Sequence, residues 1–317
     1  MRRILAASTV VALLAGAGVA QAQNSNCPAS GTTADACNKA TDLYNYMMPQ
    51  LGTSLVGGSH TLGTGSTLGG FPHFAIALRA NAIMGDLPDL NTVNVSIVGR
   101  QQSNLETKSQ FLGLPGVDFA VGVYKGFPLG VTRVGGVDII GSVTYIPDVE
   151  TAEVTIATEG GSAKIGIGAR IGLLEQSLIV PGVSFSYLVR DLPTLSMNAS
   201  AGNADFAITD FSVKTKSWRL AAQKNLAILQ LGAGVGQDTY DAGADIAISG
   251  VGSMNTSVAQ SITRTTMYGS LGINLLLAKL VAEVGQVSGG DISTYNNFSE
   301  AADKSRLYGS VGLRIAF

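Results

Sequence analysis

The chain is 317 residues long, 46% hydrophobic and only 13% charged, with a formal net charge of −2. An average soluble domain is roughly 25% charged, so a chain this poor in charge needs an outer surface that meets something other than water. The mildly acidic balance argues against nucleic acid as a partner.

At the amino terminus, Arg2 and Arg3 precede an apolar run from Ile4 to Val19 and a small-x-small site at Ala20-Gln21-Ala22. This is the order of a secretory leader cleaved after Ala22, so residues 1–22 are expected to be a signal peptide. The run is short and weakened by Ala and Gly, against the roughly 20 residues of a spanning helix. Asn24-Ser25-Asn26 before Cys27 lacks the small apolar lead-in of a lipid-modified cysteine. The mature chain would start near Gln23 with a formal charge of −4.

Cys27 and Cys37 are the only cysteines. In an oxidising compartment a local disulfide is expected, with two free thiols or a metal pair as the alternatives. His60 and His73 are the only histidines, too few to build a metal site, and no cofactor is expected. Neither histidine has an orienting partner near it in sequence, so a hydrolase constellation is not expected and the chain reads as a non-enzyme.

From Asp35 to Leu55 apolar residues recur at steps of three and four, with Leu43, Tyr44, Met47 and Leu51 on the stripe. An amphipathic helix is expected over 35–55, with Asp35 as N-cap and Pro49 ending or kinking it. Such a helix packs on a periplasmic rim or inserts into a lumen as a plug. Gly52 to Gly70 is rich in Gly, Ser and Thr and reads as a flexible connector. Residues 23–70 thus form a rim or plug segment ahead of a strand-rich region, 71–317.

In that region period-two alternation dominates. Clear strands are expected at Phe71–Met84, Thr92–Val98, Val117–Lys125, Val137–Ile146, Ala163–Leu173, Gly182–Arg190, Phe211–Ala222, Ala227–Gln237, Ser261–Leu275, Leu280–Val287 and Lys304–Phe317. Leu105 to Leu114 is either one more strand or an inward loop. Short connections such as Gln223–Leu226 alternate with long polar ones, Asp191–Asp210, Asp238–Gln260 and Ser288–Asp303. That alternation is the pattern of an all-β, antiparallel transmembrane β-barrel, with about 12 strands, and 10–14 allowed.

The segment Met267-Tyr268-Gly269-Ser270-Leu271-Gly272-Ile273-Asn274-Leu275 parallels Leu307 to Ile315, and Ile167 to Ile171 repeats its core. If the likeness is more than chance among Gly-rich strands, Arg170, Asn274 and Arg314 share one lumen level near the periplasmic mouth. Lys164, Arg190, Tyr268 and Tyr308 are further lumen-lining candidates. Glu283 and Asp138, also on inward faces, would turn such a cationic ring into a salt-bridge network.

The last strand has one apolar face, Leu307, Gly309, Val311, Leu313, Ile315 and Phe317, and ends on an aromatic. The spacing Ser310-x-Gly312-x-x-Ile315-x-Phe317 resembles the C-terminal insertion signal of bacterial outer-membrane β-barrels. The resemblance implies an outer-membrane location in a Gram-negative-type bacterium, with outer-membrane lipid and the barrel-assembly machinery as partners. A helical post-signal segment followed by Gly-rich strands is also similar in architecture to the long-chain fatty-acid transporter family of hydrophobic-compound transporters. Leu43 to Leu51 and Gly69-Gly70-Phe71 are landmarks shared with uncharacterised outer-membrane barrels. The transporter family's Asn-Pro-Ala motif is absent, so no binding residue carries over. Three functions are weighed. The first is a passive channel or transporter for small hydrophobic or anionic solutes. The second is a structural or surface-interaction barrel with a filled lumen, and the last is a membrane hydrolase.

Overall fold

The computed structural model describes residues 26–317 apart from 147, 151–153, 160 and 202; the expected leader lies outside the described residues. One helix, α1 (Ala34–Val56), precedes the strands. Ten strands follow: β1 (Phe74–Pro88), β2 (Thr107–Tyr124), β3 (Gly136–Tyr145), β4 (Ala163–Leu174), β5 (Gly182–Asp191), β6 (Ala204–Leu226), β7 (Leu229–Ser249), β8 (Met254–Asn274), β9 (Lys279–Val287) and β10 (Arg306–Ala316). Each pairs antiparallel with its successor, and β10 pairs with β1, so the described strands close into an up-and-down barrel. Three further pieces, Val149–Glu150, Val154–Glu159 and Thr194–Ala201, extend the sheet from the upper half of β6. The expected count of about twelve lies between the ten strands of the ring and the thirteen of the whole sheet.

One expected strand is absent, and one open segment resolves. Thr92–Val98 is not a strand. Its alternation arises because Val93 and Val95 are buried against the core around α1, while Ile97 and Val98 are exposed. Leu105 to Leu114 falls mostly within β2, which runs on without interruption to Tyr124.

One end of the barrel carries turns as short as residues 227–228 and 275–278, together with Phe317. The other end carries the long connections between β1 and β2, β3 and β4, and β9 and β10. By the usual rule the turn side is periplasmic and the loop side extracellular.

The polarity of the wall reverses with height. On the turn side the outward face is apolar: Ile76 and Leu78 on β1, Leu231 and Val235 on β7, Leu271 and Ile273 on β8, Leu313 and Ile315 on β10. Inward lie Arg79, Arg170, Arg219, Gln230, Glu283 and Arg314, all buried. This is the apolar-out, polar-in pattern of a barrel in lipid. Above it, β6 to β8 are 23, 21 and 21 residues long, about twice the 9–11 residues of a spanning strand. There Thr239, Asp241, Ser257, Ser261 and Thr263 point outward, while Tyr240, Ala242, Ala244, Ile246, Ile248, Val258 and Ile262 point inward.

Asp238–Gln260, expected as a polar loop, is therefore mostly strand, with its turn confined to residues 250–253. Its inward apolar file is carried by Ala and Ile among many Asp and Ser, so the wet outer face dominated the sequence pattern. The bulge between Thr209 and Ser212, where Asp210 takes a φ of 52°, shifts the facing of β6 by one residue within the upper zone, so that Phe206 on one side and Phe211 and Val213 on the other all pack on the core around α1.

Candidate functional site: the plugged lumen

The apolar upper chamber is filled by α1. Its 23 residues span about 35 Å, and they are buried on nearly all sides rather than along one stripe. Leu43 and Tyr44 are buried, and Met47 and Leu51 half-buried. Tyr46 and Met48, which sit off the expected stripe, are fully buried, and Tyr46 stacks on Phe298 at 4.1 Å. The helix packs against the inner faces of β1, β2, β6, β7 and β8. It starts beyond Thr33 and continues through Pro49, so Asp35 is not the N-cap and Pro49 does not end it.

Asp35 instead accepts the backbone N–H of Ser96 (2.7 Å) and Gln101 (2.9 Å) and pairs with Lys39 at 2.6 Å. Asp42 accepts the backbone N–H of Tyr295 (3.0 Å) and Asn296 (2.7 Å), plus the Asn296 amide. Burial dominates the charge balance at Asp42 and raises its pKa above the ordinary carboxylate value. Both loops bound this way belong to the long-loop end, so the helix enters the barrel from the extracellular side. Cys27 and Cys37 form a disulfide at that end, where Arg100 donates to the carbonyls of Cys27 and Pro28.

Below α1, residues 57–70 thread the lipid-level lumen. The expected flexible connector is buried or half-buried throughout, because its Gly, Ser and Thr residues are small enough to pass between long inward side chains. Those side chains satisfy its backbone. Arg79 donates to the carbonyls of Val56 (3.0 Å) and Ser59 (2.7 Å). Arg219 donates to Gly58 (2.6 Å) and Gly57 (3.2 Å), and Gln230 to Gly63 (2.9 Å). Glu283 accepts from Ser59 N–H (3.0 Å), Asp118 from Leu62 (3.3 Å), Gln223 from Gly65 (2.6 Å) and Asp138 from Leu68 (3.1 Å). Any side chain at Gly58 would run into the Glu283 carboxylate and the Tyr308 hydroxyl. Two voids between plug and wall hold about 10 Å³ each, room for about one water apiece.

Three of the wall's arginines are paired with aspartates. Arg170 meets Asp138 at 2.6 Å, Arg219 meets Asp238 at 2.8 Å and Arg79 meets Asp118 at 3.4 Å, all six side chains buried. Arg190 donates to Ser142 (2.7 Å) and to the Val56 carbonyl (3.2 Å). Arg314 is buried within electrostatic reach of Arg170 and Asp138, and its Nε has no hydrogen-bond partner among the described residues. Asn274, Lys279 and Arg314 share one register row across β8, β9 and β10. Asn274 is only half-buried, however, and donates to the Ala227 carbonyl at the turn, so it lies at the rim rather than in a ring. Lys164 is a further correction. It shares the inward parity of Arg170 but stands exposed near the loop-side end of β4, clear of the packed lumen. Tyr268 and Tyr308 point inward and are buried, and neither hydroxyl has a hydrogen-bond partner among the described residues.

Gly312, Ile315 and Phe317 sit where β10 closes on β1. Gly312 lies opposite Arg79 and Ile315 opposite Ile76, and Phe317 stacks on Phe74 at 5.1 Å. Arg79, Arg219, Gln223 and Gln230, which hold the plug, were not singled out by sequence. Their signal was the inward parity of each strand, visible for Arg79 in Ala75-x-Ala77-x-Arg79-x-Asn81. Among the described residues no group of three or more His, Cys, Asp or Glu is placed to hold a metal.

A closed antiparallel ring with an apolar outer belt and polar lumen defines the chain as an outer-membrane-type β-barrel protein. No protein-family model matches the chain, and no curated protein sequence matches it. Among solved structures it is similar to Ail, the attachment invasion locus protein of Yersinia pestis, at 12% identity and a TM-score of 0.23, covering 77% of this chain and 98% of that one. It is similar to the TodX deltaS2S3 mutant monoaromatic hydrocarbon channel at 11% and 0.30, covering 77% and 66%. A third likeness is to the outer membrane channel DcaP of Acinetobacter baumannii, at 9% and 0.18, covering 77% and 96%. Scores this low carry nothing further; the class rests on the ring and its belt.

Proposed function

We propose that the protein is a filled-lumen barrel, closed to solutes at rest, that acts at the cell surface through its raised loop-side wall. The observation that carries this is the seal around residues 57–68. Side chains from β1, β2, β3, β6, β7 and β9 bond its backbone from every side, leaving voids of about 10 Å³. A passive channel needs a continuous wet path, and among the described residues this packing stands against one. The upper parts of β6 to β8, wet outside and packed on α1 inside, form a rigid platform above the lipid. Purified protein in planar bilayers is expected to give no steady conductance; stable open steps would sink the reading.

The second reading is the channel or transporter for small hydrophobic or anionic solutes weighed from the sequence, here opened by movement of the plug and not passive. One observation favours it. Buried polar atoms without hydrogen-bond partners among the described residues gather along the plug: His60 Nε2, Thr61 Oγ1, Thr64 Oγ1 and Arg190 Nη2. Such clusters are uncommon in a purely structural interior and mark seams that rearrange or hold water. Anion flux through the intact protein in liposomes, abolished by a Ser59→Cys/Glu283→Cys lock, would establish it. A silent unlocked protein returns the first reading.

A further inference from the structure

The lipid-facing belt is uneven in height. On β1 it runs from Phe74 to Met84 and on β10 from Leu307 to Phe317. Each of those runs covers about 28 Å at the usual tilt, enough for the roughly 25 Å band of such barrels. On β7 the outward apolar run is only Leu229 to Val235 before Gln237 and Thr239, and on β8 it is Met267 to Ile273 below Thr265. Those runs cover about 18 Å, a deficit of about 7 Å.

Below β7 and β8 the missing height lies in the turns; on β4 the outward apolar file already runs from Ile165 to Leu173, and its turn extends that file. Ile228 joins β6 to β7, Leu276 and Leu277 join β8 to β9, and Leu178 and Ile179 join β4 to β5. All are exposed, Leu276 at 98% and Leu178 at 94%. Turns that stand in water carry Gly, Asn, Asp and Ser at their tips, not bare aliphatic pairs.

Part of the backbone of these turns is paired internally, which lowers the cost of placing it in lipid. The Lys224 ammonium donates to the carbonyls of Ser177 (2.9 Å), Leu178 (2.8 Å) and Val180 (3.4 Å). Asn274 covers the next turn, its N–H donating to the Ile228 carbonyl at 2.7 Å and its amide to the Ala227 carbonyl at 3.4 Å. Leu275 N–H donates to the Ala278 carbonyl at 2.7 Å. We infer that the β4–β5, β6–β7 and β8–β9 turns are embedded among the acyl chains of the turn-side leaflet, continuing the belt, instead of standing in the periplasm.

Single cysteines at Leu178, Ile228 and Leu276 test this in the full protein in proteoliposomes, since the native cysteines are held as a disulfide. Each carries a fluorophore, with Leu271→Cys as the belt reference and Ala259→Cys as the wet reference. Brominated acyl chains are expected to quench the three turn sites to within about twofold of Leu271, with iodide access well below that at Ala259. Iodide access equal to that at Ala259 would overturn the inference. So would efficient cross-linking of Leu276→Cys between copies with no lipid quenching, which would assign the surface to a second copy of the chain. Three independent sites keep the test decisive if one variant fails to assemble.

Discussion

Ser59 gives its backbone N–H to the Glu283 carboxylate at 3.0 Å, across 224 positions of chain. The contact joins plug to wall, and each completes the other. Glu283 is a buried carboxylate with no ion pair among the described residues, and Ser59 is a buried amide with no helix or sheet to serve it. The same exchange recurs at Asp118 with Leu62 and at Arg219 with Gly58. A plug built this way needs no apolar face at the lipid level, which is why Gly, Ser and Thr suffice there.

Replacing Glu283 by Ala is therefore expected to loosen the plug before it unfolds the barrel. An unpaired buried amide costs about 1–3 kcal/mol. Amide exchange at residues 58–62 should accelerate by roughly 5- to 150-fold, while exchange in β7 and β8 stays put. Equal acceleration in both places would mean that plug and wall open as one unit.

Arg170 and Asp138 carry a second expectation. Arg170→Ala leaves Asp138 buried with only the Leu68 amide, and breaking such a pair costs about 3–5 kcal/mol. Pairing Arg170→Ala with Asp138→Asn should recover part of that loss, read as the coupling in a double-mutant cycle. Because Arg170 is neutralised by Asp138, Arg170→Ala with Arg314→Ala should lower thermal stability without creating or shifting ion selectivity. A change in selectivity with stability intact would restore the cationic-ring reading.

What could be read from sequence followed from period two. Arg314 between Leu313 and Ile315 could only face inward once one side met lipid, and Arg170 follows the same logic between Ala169 and Ile171. The closing strand, the helix and the all-β class were legible for that reason. The upper half of β7 was not, since Tyr240, Ala242, Ala244, Ile246 and Ile248 alternate with Asp and Gly in the opposite sense. A barrel template expects polar-in, and the reversal follows only from knowing that α1 fills that height. Long-range pairings such as Asp42 with Asn296 leave no local trace at all, because each residue alone looks like an ordinary polar surface position.

Asp42 gives a pH test. Burial raises its pKa in the folded protein above the 3.8 of an unfolded aspartate, so the folded state holds this proton more tightly. The resulting stabilisation is complete below about pH 3.8 and is lost as pH rises through the folded value. Asp42→Asn removes that dependence. The stability of wild type relative to Asp42→Asn should therefore fall as pH rises from about 3.5 toward neutrality, at up to about 1.4 kcal/mol per pH unit. Matched melting temperatures at every pH would show that the hydrogen bonds from Tyr295 and Asn296 fully offset the burial.

Phe317 separates assembly from stability. Its ring stacks on Phe74 at 5.1 Å, yet it is 66% exposed on the outer face. Its backbone supplies the last rungs of the closing seam, with Phe74 N–H donating to Phe317 O at 3.0 Å and Phe317 N–H to Phe74 O at 2.9 Å. Phe317→Ala keeps both rungs and gives up only ring contact, worth about 0.5–1.5 kcal/mol beyond the area it covers. The finished barrel should therefore melt within a few degrees of wild type. Outer-membrane levels in cells should fall severalfold, because an aromatic at the end of β10 is what the insertion signal presents. Deleting the residue removes the rungs too and should cut both yield and melting temperature. If Phe317→Ala reaches wild-type membrane levels, the aromatic end serves the seam alone and not insertion.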